Sequence, residues 1–483
     1  MAVTTAMFHP PRPPNFLKRA LQTIGSHPAT VFAIASTILG AALVAVAPPL
    51  RGPDETAHFL RAYGVGQGDL LSSVSDSKGR KGVYLPVSFY QQFNVFESWQ
   101  SINRGENFSY RRVFEEYRDL RDGSSEISSQ TLFLAYGGSE GYSPAAYLPQ
   151  AFAAAMSRIG GFGFLETFYL MRLAGLFGMT AVLAYAIALT PILKWPFVAI
   201  ALLPSALYGR AVINADAAAL AYSLVLVAIF LRVVVGAPNV ATATRLVVLL
   251  LCVLSKPPNI AFVLLEWIRA WSGPPRRFWS LVGPASVAIG GAFLWTTISS
   301  ADVAAWRLVE LTGAKAEQFS PGWKLRYMIA NPAAFPRALL GMFRNADPWE
   351  YGRQLIGVLG LFDTVLLPGF YVLIGLLLVA TFASPLGKGR RMACGLVTLL
   401  TAVSYCFVIF LIFYIVWTPV YADQIWGVQG RYFVPILPLF AAALAAALNR
   451  GPPGQFIAVG AITLGLLSGV GSIDAILRAD WNF

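Results

Sequence analysis

The residues best equipped for chemistry stand together early in the chain, in Pro48-Pro49-Leu50-Arg51-Gly52-Pro53-Asp54-Glu55-Thr56-Ala57-His58-Phe59-Leu60-Arg61-Ala62-Tyr63. If a helix begins near Asp54, steps of four and then three residues put Asp54, His58 and Arg61 on one face. With Glu55 beside Asp54, two carboxylates, an imidazole and a guanidinium gather at one place. Such a set suits a general base, or carboxylate ligation of a divalent cation, acting on a headgroup at a lipid surface. The plainer alternative is an Asp54 that caps a surface helix and an Arg61 in an exposed ion pair. Residue types alone leave both open.

A second set of polar groups lies at the ends of apolar runs. Arg172 falls inside one run, Arg210 with Asn214 and Asp216 at a turn between two others, and Lys256 in Ser255-Lys256-Pro257-Pro258-Asn259. Arg431 and Tyr432 belong to Gly427-Val428-Gln429-Gly430-Arg431-Tyr432-Phe433, with Asp423 just before it. Ionisable groups at membrane depth are costly, so they mark substrate paths or internal ion pairs. Arg172, Lys256 and Arg431 are cations of the kind that clamp a phosphate or diphosphate; Arg210 is the weakest of the four. Interfacial snorkelling is the competing reading for each. Tyr142-Ser143-Pro144-Ala145-Ala146-Tyr147-Leu148-Pro149 suits an apolar channel for a lipid chain, although an aromatic belt explains it more simply. The sequon Asn107-Phe108-Ser109 is a triplet common by chance and carries no weight.

The scaffold that must position these groups is written in the composition. Of 483 residues, 56% are hydrophobic and 12% charged, against about 25% charged in a soluble globular protein. A soluble enzyme is excluded. Cys252, Cys394 and Cys406 each lie in an apolar run and read as small buried hydrophobes rather than disulfide or zinc ligands. With His9 and His27 in the N-terminal stretch, His58 is left alone, so no His-rich metal site is expected; a divalent cation on carboxylates is compatible but not demanded. Apolar runs centre on 29–49, 164–190, 195–209, 214–235, 245–256, 259–272, 278–298, 364–384, 392–419, 432–449 and 455–473. They predict an all-α polytopic membrane protein of about eleven spans. The first run is too long for a signal-peptide core and ends in Pro48-Pro49, so it reads as a retained span.

The formal charge of +12 sorts by side. With a cytoplasmic N-terminus (tail 1–28), the cytoplasmic connections hold thirteen basic residues, from Arg12 to Arg450, against one acid, Glu266. Two long polar segments, 50–163 and 299–363, then lie outside, and the basic excess signals topology rather than a nucleic-acid partner. The first 94 residues of that outer region, 50–143, carry 12 of the 24 acids and many aromatics, which predicts a segment folded against the membrane domain. Segment 143–159, broken by Pro144 and Pro149, reads as a half-inserted juxtamembrane helix, and 322–345 as a second interfacial element. The remaining spans fall in 164–298 and 364–483, the latter with a short outer tail.

The stretches PPLRGPDETAHFLRAY, YSPAAYLPQ, LSKPPN, GVLGLFDTVLLP and GVQGRYFVPILP, in this order, resemble the bacterial domain-of-unknown-function 2142 membrane proteins. That family is grouped with the GT-C superfamily of polytopic glycosyltransferases. The resemblance covers most of the chain and is strongest at the PDE and GRYFVP motifs. It implies a GT-C-like fold in the bacterial cytoplasmic membrane with an extracytoplasmic active site. The implied activity is inverting transfer of a sugar from a polyprenyl-phosphate-linked donor to a glycan, lipid or protein acceptor. Carried over by position, it implies Asp54 as the catalytic carboxylate, Glu55 as its alternate and Arg172 as the second-helix arginine. His58, Arg61, Lys256, Arg431 and Tyr432 complete the expected substrate and phosphate contacts. Thr56 stands where proline is often found after PDE. A lipid-linked glycan polymerase or ligase is the alternative. A flippase or transporter fits less well, because the charges gather at helix ends and no internal repeat is visible.

Overall fold

The computed structural model describes residues 25–99, 109–123, 130–266, 276–310, 319–387 and 390–482. The expected tail through residue 24, Asn107 and Phe108 of the sequon, Arg269 and Lys388 lie outside the described residues. Helix α1 (Pro28–Val46) is apolar on every face and stops before Pro48-Pro49. The chain then builds a small layer against the helical bundle. It comprises α2 (Glu55–Gly66), strand β1 (Gly82–Pro86), α3 (Val87–Ser98), α4 (Tyr110–Gly123) and strand β2 (Thr131–Ala135). The strands pair antiparallel, Gly82 opposite Ala135 and Pro86 opposite Thr131. A tight turn at Pro144–Ala146 leads into α5 (Leu148–Ile159), which packs on α2 and on α6 (Phe164–Leu189).

Phe59, Phe89, Phe93, Phe164 and Phe168 hold this layer down. Their neighbouring ring centroids are 5.4 to 6.4 Å apart. Because Phe164 and Phe168 belong to the first turns of α6, the aromatic loop folds onto the second span, as its composition suggests.

The expected single span over 195–209 is instead two short helices, α7 (Lys194–Ala201) and α8 (Pro204–Ala211). Pro204 has no amide hydrogen to donate and cannot continue α7, so the chain breaks there inside the protein core. Helix α9 (Asp216–Val234) runs through the centre and is buried almost all round. After α10 (Thr242–Ser255), Pro257 and Pro258 prevent a regular helix. The start of the expected 259–272 span is a tight helical turn series over Pro257–Glu266. Helix α11 (Arg276–Glu310) passes residue 299 without a break, so the second polar segment begins helical.

Three short helices follow: α12 (Pro321–Ala330) and the amphipathic α13 (Ala334–Asn345) and α14 (Pro348–Gly357). A two-residue strand pair comes next, β3 (Val358–Leu359) with β4 (Thr364–Val365). Helix α15 (Pro368–Phe382) and the long α16 (Arg391–Val416) lead to the turn Gly430–Ile436, which runs into α17 (Leu437–Ala447). The described chain closes with α18 (Gly454–Ile476) and a wider turn, Leu477–Trp481.

Among the described residues, seven helical segments are long and apolar enough to cross a membrane: Pro28–Val46, Phe164–Leu189, Asp216–Val234, Val282–Ser299, Arg391–Val416, Gly430–Ala447 and Gly454–Trp481. Two expected spans are the shorter apolar helices Thr242–Ser255 and Pro368–Phe382. The architecture is thus mainly helical and membrane-embedded, with two small strand pairs among the described residues that apolar periodicity did not announce. Helices approach closely where small residues permit it. Gly40, Gly465 and Gly469 face Leu176, Leu202 and Leu39 with no room for a methyl group.

The bundle has two unlike ends. At one, Arg232 donates to the carbonyl of Leu189 and Arg391 to those of Ala446 and Leu448, gathering helix ends rich in basic residues. Asp216, Lys256 and Gly430, which open α9, close α10 and open the turn that runs into α17, mark the other.

Candidate active site

Helix α2 begins at Glu55, one residue later than the spacing argument places it. Asp54 precedes it in the left-handed region, at φ 54° and ψ 23°, and its side chain makes no capping hydrogen bond. Aspartate tolerates that conformation better than most residues, but still at a cost of roughly 1 kcal/mol. The turn aims the carboxylate away from the helix. Asp54 is 69% exposed, with Oδ2 accepting from Arg431 Nη2 at 3.1 Å.

Glu55 has the opposite setting. It is fully buried and accepts four hydrogen bonds: from Arg172 Nε (2.9 Å) and Nη2 (2.7 Å), Gly52 N (2.8 Å) and Ile213 N (2.8 Å). Arg172, also fully buried, donates further to the carbonyls of Ala47 (2.6 Å) and Pro48 (2.9 Å) and lies 4.5 Å from the Phe168 ring centroid. The pair therefore ties α6 to both the turn after α1 and the turn before α9. Gly52 lies so close to Val212 across this joint that a side chain there would collide with it. Arg172 and Glu55 turn inward, away from the cluster around Asp54.

Arg61 is likewise spent on the fold. It donates to the carbonyls of Tyr142 (3.2 Å), Asp69 (2.7 Å) and Leu70 (2.8 Å). Arg210 is buried and reaches the Ala206 and Ala201 carbonyls and the Ser36 hydroxyl, with no contact to Asn214 or Asp216.

His58, one turn into α2, does reach the cluster. Its Nδ1 lies 2.5 Å from the Tyr147 hydroxyl, and the Tyr142 ring meets the imidazole edge-on at 5.1 Å. Burial lowers the His58 pKa to about 4 against the pull of Asp54 and Asp216, so the ring is neutral at physiological pH. Burial likewise raises the Tyr142 and Tyr147 phenols, which stay protonated.

The centre of the cluster is Asp216, the first residue of α9, which the sequence places only at a turn. Its carboxylate pairs with Lys256 Nζ and lies 3.6 Å from Arg431 Nη1. Lys256 stands over the Tyr432 ring, 4.5 Å from its centroid. The Arg431 guanidinium lies 4.5 Å from the Phe362 ring centroid and 5.1 Å from that of Tyr432, and Nε donates to Gln429 Oε1 at 2.9 Å. Phe362 is a contact that the sequence did not signal. It sits in the β3–β4 turn, which Arg51 holds through Asp363 at 2.8 Å.

Beside these groups opens a small cavity, lined in part by Pro53, Asn214, Asp216, Lys256, Arg431 and Tyr432. It combines an apolar wall with two cations and an anion, an arrangement suited to an anionic headgroup. Among the described residues, no three His, Cys, Asp or Glu side chains converge as a metal site would require. The structure thus joins Asp54, His58, Lys256, Arg431 and Tyr432, and adds Asp216. It separates Glu55, Arg61 and Arg172 into the supporting framework.

Residues 37–440 match the family described as a predicted membrane protein, DUF2142, and the chain belongs to that family. No curated protein and no solved structure matches it.

Proposed function

We propose, with that family membership as the premise, that the protein is a membrane glycosyltransferase using a polyprenyl-phosphate-linked sugar donor. The acceptor is a glycan, lipid or protein on the outer face of the bacterial cytoplasmic membrane. The observation that carries the reading is the exposed Asp54 carboxylate, held on a left-handed backbone 3.1 Å from Arg431, which with Lys256 lines the neighbouring cavity. The orientation is supported by the thirteen basic residues that the positive-inside rule assigns to the cytoplasmic side, of which Arg232 and Arg391 lie at the bundle end opposite Asp54.

In the proposed reaction, Asp54 takes the proton from an acceptor hydroxyl while the hydroxyl oxygen attacks the sugar's anomeric carbon. The bond from that carbon to the phosphate oxygen breaks with inversion. The electron pair leaves with the lipid phosphate, whose growing charge is met by Lys256 and Arg431. Asp216 keeps the two cations oriented towards one another, and Tyr432 packs against both. Neutral His58 and Tyr147 form a proton-holding wall behind the base. Glu55, Arg172 and Arg61 act only by positioning.

The test is genetic and chemical. Deleting the chain should accumulate a polyprenyl-phosphate-linked sugar and remove a sugar from an envelope glycan, both restored by the wild-type chain. Mass spectrometry of lipid extracts showing no change in either would reject the reading.

A further inference from the structure

Helices α12 and α13 present a surface that the proposed transfer does not use. From residue 319 to 346 the chain carries Lys324, Arg326, Arg337 and Arg344 and no acid. Lys324 faces inward, donating to the carbonyls of Pro419 (2.5 Å) and Val420 (3.0 Å) beside the Tyr414 ring. Helix α13 likewise turns Ala334, Ala338 and Met342 inward, one residue every four. These contacts seat the pair against the outer part of α16 and the loop that follows it.

The opposite face is left uncovered. Trp323, Leu325, Ile329, Leu340 and Phe343 are exposed, Ile329 by 81%. Arg326, Arg337 and Arg344 stand among them, and none has a carboxylate partner among the described residues. An apolar patch of this kind marks an interaction surface rather than a wet face. A net-positive face that interleaves arginines with large apolar side chains is complementary to a bilayer interface bearing negative headgroups.

We propose that α12 and α13 lie in the headgroup layer and bind anionic phospholipid. The apolar side chains enter the acyl boundary, and the three guanidiniums take lipid phosphates. The bound surface also touches the loop that leads to Arg431, because Asn345 at the end of α13 donates to Gln424 at 2.9 Å. The binding itself does not depend on the glycosyltransferase reading.

The test uses the full chain in nanodiscs, with its three cysteines replaced by alanine and a bimane label on Leu340→Cys or, separately, Ile329→Cys. Brominated phosphatidylglycerol mixed with plain phosphatidylcholine is compared with the reverse mixture at equal mole fractions. Both labels should be quenched, with phosphatidylglycerol preferred on the order of fivefold or more. Arg337→Gln with Arg344→Gln should keep the quenching and lose most of the preference. Equal quenching by the two lipids overturns the proposal. So does absence of quenching at both positions, the result expected if water, another protein or a second copy covers this face.

Discussion

Asp54 and Glu55 are one peptide bond apart, and their carboxylates live in different worlds. Glu55 is sealed in the protein with four donors on it, and Arg172 opposite has a carboxylate and two carbonyls as partners. Asp54 is open, on a strained backbone, with one side-chain partner among the described residues, and that partner, Arg431, also leans towards Asp216. A buried group whose capacity is filled cannot bind or exchange anything without unmaking the fold. An exposed group in a single long ion pair can change partner at little cost. The comparison separates a joint from a site although both are made of the same residue types.

The largest effect expected from this contrast is on stability. Glu55→Ala or Arg172→Ala leaves a buried charge unpaired and should destabilise the protein by about 3–5 kcal/mol. Glu55→Gln, which keeps an acceptor for Gly52 and Ile213, should fall between them and the wild type. Thermal unfolding in detergent checks this, and an unchanged unfolding temperature for Glu55→Ala would erase the contrast.

Next comes the pH response of the wall behind the site. His58 is neutral when folded, with its pKa at about 4 against the usual 6.5, while Asp54, Asp216, Arg431, Lys256, Tyr142 and Tyr147 surround it. As pH falls, the unfolded chain takes the proton first, so stability present above pH 6.5 is lost progressively towards pH 4, by up to about 3 kcal/mol. Unfolding curves at a series of pH values should flatten in His58→Gln over that window.

A smaller effect concerns binding. Arg431→Gln should weaken capture of a polyprenyl phosphate by about 10–100-fold, the worth of a charge-assisted hydrogen bond. Its unfolding temperature should move little, because Asp216 retains Lys256. Equal loss of stability in Arg431→Gln and Arg172→Ala would show the two arginines to be the same kind of group. The smallest effect is that of Asp54→Asn on stability, within about 1 kcal/mol.

Much of this arrangement was legible beforehand. Long apolar runs locate the seven membrane-length helices because burial in lipid demands uninterrupted apolarity. The PDE and GRYFVP motifs led to the residues that meet at the cavity. Other features depend on how distant segments turn. Four-then-three spacing treats Asp54, His58 and Arg61 as one face. Asp54 lies before the helix, however, and Arg61 is drawn off by carbonyls at Asp69, Leu70 and Tyr142. Nothing local to Glu55 reveals that Arg172, 117 residues away, will close on it. Asp216 had a usable signal: an acid opening an otherwise apolar span calls for a cation, and Lys256 was available. The breaks at Pro204 and Pro257 were visible as prolines, but an apolar count across them hid their effect.

The most direct measurement compares envelope glycans in cells whose sole copy of this chain is wild type, Asp54→Asn or Glu55→Gln, at matched levels of folded protein. With Asp54 as the base, Asp54→Asn should reduce transfer by about 10²–10⁴-fold. Glu55→Gln should retain transfer in proportion to the protein that folds. Full transfer in Asp54→Asn would contradict the account.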